Sequence, residues 1–169
     1  MAGPLILLAS LGPADFARLD ALRRRHYPAD RNRVPAHLTI FRSLPPSAED
    51  EVRRVLARTG SFPPPKATEE GLMDLGGGVA IRIRSDGLDR LREELSEQFH
   101  GLLSAQDRGG WIPHVTIQNK VEPAVARALL RSLEKNFRPR PLQIAGLELV
   151  RYLEGEWERL ASYRFRRLS

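Results

Sequence analysis

The chain has 169 residues, of which 41% are hydrophobic. It can therefore bury a core as one compact domain or two small lobes, which excludes wholesale disorder. It contains no cysteine, which excludes disulfides, thiolate nucleophiles and cysteine-ligated zinc. Its 27 basic and 21 acidic residues give a formal net charge of +6, which favours anionic partners such as nucleotides or RNA, although an arginine-rich solvated surface accounts for this surplus equally well.

The first half of the chain alternates short apolar runs with apolar residues at helical spacing. The N-terminal run is too short for a membrane span or a signal peptide, so we expect a first strand over 5–9 and a cytoplasmic protein. The pattern then predicts a helix over 13–27, a strand over 37–41 and a helix over 47–60. For this last helix, Ser47 and Asp50 have the spacing of a capping box.

The second half predicts a hairpin, two helices and three more strands. Strands over 66–75 and 79–84 flank three glycines, which we interpret as a turn rather than a phosphate cradle because no Lys-Ser/Thr follows them. Asp86 is expected to cap a helix that extends to about residue 102, and a polar loop follows. A strand over 114–118, a helix from Pro123 to Phe137 and final strands over 142–153 and 156–167 complete the prediction.

Two segments share one local pattern. VPAHLTIFRS at 34–43 and WIPHVTIQNK at 111–120 both contain proline, histidine, an apolar residue, threonine and isoleucine in that order. Because strand residues two apart share a face, His37 and Thr39 point the same way, as do His114 and Thr116. Either histidine alone is most simply a partly buried strand residue bonded to backbone, but the repeated pair favours a function.

The repeat also extends to the order of elements. The two histidines lie 77 positions apart, and the same offset carries the first predicted strand onto the one over 79–84. We therefore predict an α+β fold built by pseudo-twofold duplication in one bilobal domain, with units at about 1–77 and 78–169. Each lobe is expected to have an antiparallel or mixed sheet backed by two helices, and a central groove is expected between the lobes.

Two imidazoles that face each other suit in-line displacement at phosphorus. One removes a proton from the attacking water while the other protonates the oxygen that leaves on the opposite side. The threonine hydroxyls would donate to the non-bridging oxygens. The sequence contains neither an H-E-x-x-H helix nor a G-x-S-x-G motif, so we expect neither a metal nor a serine nucleophile. The residues alone leave open which histidine is the acid.

Paired H-x-T motifs at this separation resemble the 2H phosphoesterase superfamily, and within it the bacterial 2′-5′ RNA ligase-like proteins, also described as RNA 2′,3′-cyclic phosphodiesterases. The resemblance implies hydrolysis of a 2′,3′-cyclic phosphate to a 2′-phosphate, in a groove between two lobes and without a metal or cofactor. It implies that His37 is the proton donor and His114 the acceptor. Thr39 and Thr116 would then bind phosphate.

Strand alternation and charge suggest further substrate-binding residues around the motifs. Phe41 would share the face of His37 and stack on a base, and two polar residues would share the face of His114. Many relatives have Phe-Leu-Gly after the first motif, whereas this chain has Arg42 and Ser43, so the rim of the groove is expected to differ. The candidates are Phe41, Arg42, Gln118, Lys120, Arg31 and Arg33.

Two alternatives remain open. The first is a binding module for RNA or nucleotides that keeps the groove but lacks catalysis. The second is a 2H enzyme that acts on another phosphodiester, such as a 2′-5′ linkage or a cyclic ADP-ribose phosphate. In each case the expected partner is an RNA end or a small cyclic nucleotide, not a membrane, and the protein is expected to be a monomer.

Overall fold

The structure, a computed structural model, describes residues 3–166. The strands of this part of the chain are β1 (Leu5–Leu11), β2 (Leu38–Leu44), β3 (Lys66–Asp74), β4 (Val79–Arg84), β5 (His114–Gln118), β6 (Arg140–Leu153) and β7 (Glu156–Arg164). The helices are α1 (Pro13–His26), α2 (Glu49–Thr59), α3 (Asp86–Gln98), α4 (Ala105–Arg108) and α5 (Pro123–Glu134), and a 3-10 turn (Pro46–Ala48) precedes α2. No helix within this range has the length and apolarity that a membrane span requires.

The predicted strands and helices are present, and the differences lie at their ends. α4 occupies part of the predicted loop before the second motif, and α5 ends before Phe137. The predicted end of the last strand, Arg167, lies outside the described residues. The predicted capping roles of Ser47 and Asp86 are wrong. α3 is capped by Ser85, which has an extended backbone and whose Oγ accepts a hydrogen bond from the Leu88 N–H at 3.1 Å.

The three glycines form the predicted turn between β3 and β4. Asp74 pairs with Val79 in an antiparallel ladder, which confirms the hairpin. Gly76 has φ +83°, a conformation that L side chains rarely adopt. At Gly78, an added Cβ would lie 1.9 Å from the Gln118 carbonyl oxygen, so glycine is what allows the turn to approach β5 closely.

The strands form one antiparallel sheet in the order β1-β2-β5-β4-β3-β6-β7, and an additional β1–β6 pairing closes it on itself. The α+β class and antiparallel pairing are therefore confirmed. The expectation of one sheet for each lobe is wrong, because β6 is long enough to pair with β3 at one end and with β1 along the rest. The two motif strands are neighbours within this sheet. The duplication of a unit stays a prediction.

Both motif strands contain a bulge just after the H-x-T segment. As β1 advances by one residue, from Leu7 to Leu8, its partner on β2 changes by two residues, from Phe41 to Thr39. Ile40 is therefore an extra residue in β2. On β5 the paired residue changes by two positions, from Gln118 to Thr116, while β4 advances by only one residue. β5 therefore also contains an extra residue. A bulge reverses the alternation of side chains beyond it. Residues after each bulge therefore face the opposite way from the prediction.

The core lies between the sheet and the helices. α1 packs against β5, whereas α3 and α5 pack against β3. A helix from the first half of the chain therefore supports a strand from the second half, and two helices from the second half support a strand from the first, so the expected backing of each unit by its own two helices is wrong. Leu38 and Val115, each fully buried, pair at the point where β2 meets β5.

Leu38→Ala should destabilise the fold strongly, because it leaves a cavity beneath both motif strands. We expect a loss of about 2–5 kcal/mol in the free energy of unfolding, as is typical for a buried leucine. Urea denaturation followed by circular dichroism measures it. Leu153→Ala is the control, because Leu153 is 48% exposed and should change stability by less than about 0.5 kcal/mol. Equal effects of the two changes would contradict the packing described above.

Candidate active site

The two histidines are held in the same way. The His37 Nδ1 lies 2.8 Å from the Pro35 carbonyl oxygen, and the His114 Nδ1 lies 2.8 Å from the Ile112 carbonyl oxygen. A carbonyl only accepts, so each Nδ1 carries its hydrogen and donates it. In the neutral ring the Nε2 then has the free lone pair, which is the arrangement that a base requires. Each ring edge that reaches solvent can therefore take up or release a proton.

Strand pairing brings the motifs together. Leu38 pairs with Val115 in an antiparallel arrangement, and this register sets His37 opposite Thr116 and His114 opposite Thr39. Directly opposite residues in such a pair have Cβ atoms roughly 4.5–5.5 Å apart. Each imidazole therefore has the hydroxyl of the other motif as its cross-strand neighbour.

All four motif side chains line one cavity of about 470 Å³, within the range of roughly 300–1,000 Å³ that is typical of small-molecule sites. A cavity of about 640 Å³ bordered by residues 62–68 lies elsewhere and contains no histidine, so its size alone does not make it the candidate site. The other residues around the motif cavity are Ile6, Ile40, Arg42, Met73, Arg92, Gln106, Asp107, Gly110, Trp111, Ile112 and Trp157.

The surroundings of His37 keep its ring neutral. One edge opens on the cavity, but the edge-on indole of Trp157 lies 4.5 Å from the imidazole between ring centres. Burial lowers the pKa of His37 to about 4, the bond to Pro35 opposes this shift, and electrostatic interactions with Arg23 and His114 add to it. In the empty site His37 is therefore uncharged at neutral pH.

Arg23 braces β5 from α1. It lies four residues after Leu19 on the buried face of that helix and is 3% exposed. Its Nη1 donates to the Thr116 carbonyl oxygen at 3.0 Å, its Nε donates to Asn32 at 2.8 Å, and its guanidinium lies over the Tyr27 ring. Burial lowers the pKa of Arg23 below its ordinary value, but an arginine side chain stays a cation at neutral pH.

Arg92 braces β2 from α3. Its Nε donates to the Ile40 carbonyl oxygen at 3.2 Å, and its Nη2 donates to the Asp107 carbonyl oxygen at 2.7 Å. Its guanidinium lies 5.0 Å from the ring centres of both Phe41 and Trp111. The Trp111 indole N–H in turn donates to the Thr39 carbonyl oxygen at 3.1 Å. The bulge in β2 is thus held by side chains from the second half of the chain.

The Asp107 carboxylate fixes the backbone just beyond that bulge. It is 4% exposed and accepts hydrogen bonds from the Arg42 N–H at 2.9 and 3.0 Å and from the Ser43 N–H at 3.0 Å. These bonds satisfy a buried charge that would otherwise be costly. They also set the direction in which the exposed Arg42 side chain leaves the strand.

Two of the sequence-based site assignments are wrong because of the bulges. Phe41 is fully buried and packs edge-on against Phe99, with ring centres 6.1 Å apart, so it cannot stack on a base. Gln118 is 4% exposed, and its Oε1 has no hydrogen-bond partner among residues 3–166. Arg42 takes the place in the cavity that regular strand alternation would give to Phe41.

The other basic candidates lie outside the cavity lining. Lys120 occupies a turn after β5, with φ 62°, and Arg31 is exposed in the loop before β2. The Arg33 side chain lies near Gly155, at the turn between β6 and β7. These three residues do not line the motif cavity.

Sequence reasoning missed most of the residues that shape the cavity walls. Trp111 and Trp157 are the two tryptophans of the chain, and both line it. Trp111 stands three residues before His114, so its place next to the motif was a usable signal. Nothing local marks Trp157, Arg23 or Asp107, because each reaches the site through the tertiary fold.

The family model of the 2′-5′ RNA ligase superfamily matches residues 11–156. The chain belongs to the 2′-5′ RNA ligase superfamily. This confirms the resemblance to the 2H phosphoesterases. No curated protein matches the sequence.

Several solved structures share the fold of this chain at low sequence identity. TT0787 of Thermus thermophilus is 18% identical, with a TM-score of 0.66 over 97% of this chain and 98% of that one. A protein described as a phosphoesterase is 16% identical, with a TM-score of 0.67 over 98% and 99%. E. coli LigT in complex with 3′-AMP is 16% identical, with a TM-score of 0.65 over 98% and 99%. At such identity these likenesses show the fold alone.

The low pKa of His37 can be measured directly. We expect the ring to titrate near pH 4 in the free protein, and Trp157→Ala to raise that pKa towards about 6.5 because it exposes the imidazole to water. Histidine NMR chemical shifts followed from pH 3.5 to 8 measure both values. Phe62→Ala, which truncates an aromatic side chain lining the other cavity, should leave the pKa unchanged. A His37 pKa near 6.5 in the parent would contradict the burial argument.

Proposed function

We propose that this protein is a metal-independent phosphodiesterase that hydrolyses the 2′,3′-cyclic phosphate of an RNA end or nucleotide to a 2′-phosphate. The observation that carries the proposal is the convergence of His37, His114, Thr39 and Thr116 on one cavity. Each imidazole has its Nδ1–H fixed by a carbonyl, so that its Nε2 is free for proton transfer. Two such proton-transfer groups are what acid/base cleavage of a phosphodiester requires.

The proposed reaction is a single in-line displacement. His114 takes a proton from water as the water oxygen bonds to phosphorus, and the bond between phosphorus and O3′ breaks on the opposite side. His37 gives its proton to O3′, which leaves a 3′-hydroxyl and a 2′-phosphate. The hydroxyls of Thr39 and Thr116 donate to the two non-bridging oxygens, where negative charge is concentrated.

The acid role of His37 follows the family assignment and requires a change of charge. At neutral pH the ring is uncharged in the empty site because its pKa is about 4. The negative charge of a bound phosphodiester beside the ring raises this pKa, since an opposite charge favours the imidazolium. Substrate binding therefore favours the protonated form of His37 that the acid role requires.

Features beyond the motifs support a nucleotide substrate. Structures of E. coli LigT, which has the same fold, were solved with 3′-AMP, NADP+, ATP and phosphate. In this chain the cavity also contains the indole of Trp157 and the guanidinium of Arg42, which suit a base and a phosphate respectively. The net charge of +6 acts in the same direction.

Histidine variants separate this proposal from a binding module. His37→Ala and His114→Ala should each lower kcat towards adenosine 2′,3′-cyclic phosphate by about 10²–10⁴-fold, because each removes one proton-transfer group. Calorimetry should show that both variants still bind 2′-AMP. His100→Ala changes an exposed histidine outside the cavity and serves as the control. Parent-like rates in both variants would contradict the proposed roles of the histidines, and an inactive parent that binds 2′-AMP would favour the binding module.

The identity of the phosphodiester needs a panel of substrates. The panel contains adenosine 2′,3′-cyclic phosphate, a 2′-5′-linked dinucleotide and an ADP-ribose cyclic phosphate. We expect the first to be hydrolysed fastest, with 2′-AMP as its product, because the acid is proposed to protonate O3′. Phosphorus NMR distinguishes 2′-AMP from 3′-AMP. Formation of 3′-AMP would show that the bond between phosphorus and O2′ breaks, and not the bond to O3′ that we propose. Faster hydrolysis of the 2′-5′-linked dinucleotide or of the ADP-ribose cyclic phosphate would identify that compound as the better substrate. The cytoplasmic location and the monomeric state stay predictions.

A further inference from the structure

We propose that a second cavity beside the motif cavity binds the nucleotide that precedes the cyclic end of an RNA chain. This inference rests on the proposed function and extends it from a phosphodiester to an RNA oligonucleotide. The second cavity has a volume of about 390 Å³, which is enough for a small-molecule group. His37 and Trp157 line both cavities, so this pair is the wall between them. An RNA chain that extends from the motif cavity past His37 therefore enters the second cavity.

The second cavity offers aromatic surface to a base. Phe16 on α1 is 37% exposed. It lines the cavity together with Trp157 and with Pro35, which lies two residues before His37. Single-stranded nucleic acids are commonly bound by stacking their bases on such rings. A base that covers Phe16 would therefore explain why this phenylalanine is exposed next to the motif cavity.

The charges around the second cavity suit a phosphate. Its charged side chains are Glu148, Arg159 and Arg164, in addition to the neutral His37. Glu148 and Arg159 pair with each other at 2.9 Å. Arg164 forms no salt bridge with a carboxylate within residues 3–166, so its positive charge is not compensated there. It is available to the phosphate that links two nucleotides.

The direction of the chain follows from the proposed chemistry. O3′ departs towards His37, so the ribose that carries it lies on the His37 side of the phosphorus. The rest of the RNA is joined to that ribose through its 5′-oxygen and continues away from the phosphorus. The second cavity is the space beyond His37 on that side. It therefore receives the preceding nucleotide and not the attacking water.

The experiment compares ligands with one and two nucleotides. Calorimetry measures the Kd of 2′-AMP and of adenylyl-(3′→5′)-adenosine 2′-phosphate, and kinetics measure kcat/KM for the matching 2′,3′-cyclic phosphates. We expect the dinucleotide to be favoured by about 10–100-fold in both, because one more base stacks on the protein. Phe16→Ala and Arg164→Gln should each reduce this ratio towards one. Phe62→Ala, which truncates an exposed phenylalanine lining a different cavity, should leave the ratio unchanged.

The outcomes separate the two proposals. A parent that binds the dinucleotide no more tightly than 2′-AMP, or variants that keep the full ratio, would overturn the second binding site even if hydrolysis is observed. A preference in binding that Phe16→Ala removes, in a parent without hydrolysis, would support the second site and overturn the catalytic proposal. Thermal unfolding of each variant verifies that the protein is folded when its Kd is measured.

Discussion

The contact between β2 and β5 is the constraint on which the site depends. It consists of the single ladder pair Leu38–Val115, and it is reinforced by side chains that donate to the carbonyls beside it. Arg23 bonds Thr116, Arg92 bonds Ile40 and Trp111 bonds Thr39. Hydrogen bonds from charged donors to buried carbonyls are stronger than neutral ones. They fix two short strands side by side, and with them the two imidazoles and two hydroxyls.

The bulges decide which side chains beyond the motifs reach the cavity. Without them, Phe41 and Gln118 would point into the cavity, as strand alternation requires. The extra residue in each strand turns both into the interior and brings Arg42 to the cavity. The buried Asp107 carboxylate holds the backbone in this altered course. The buried carboxylate of Asp107 thus helps to place the charged side chain of Arg42 at the cavity.

The same architecture governs the charge of the site. His37 is neutral when the cavity is empty, since burial and the nearby cation of Arg23 both lower its pKa. An anion in the cavity acts in the opposite direction, so the protonation of His37 depends on what is bound. The indole of Trp157 contributes to this coupling through contact with the ring. It also lines the second cavity, so the same side chain contacts His37 and borders the site that we propose for the preceding nucleotide.

The sequence by itself determined the order of strands and helices and the two H-x-T faces, because apolar periodicity and turn residues act over only a few positions. It did not determine the closure of the sheet by β6, the bulges, or the parts played by Trp157, Arg23 and Asp107. Arg23 lies 93 residues from the carbonyl that it bonds, and no local pattern encodes such a distance. Only the packed fold decides which buried polar groups find partners, and so which side chains are left to face the cavity.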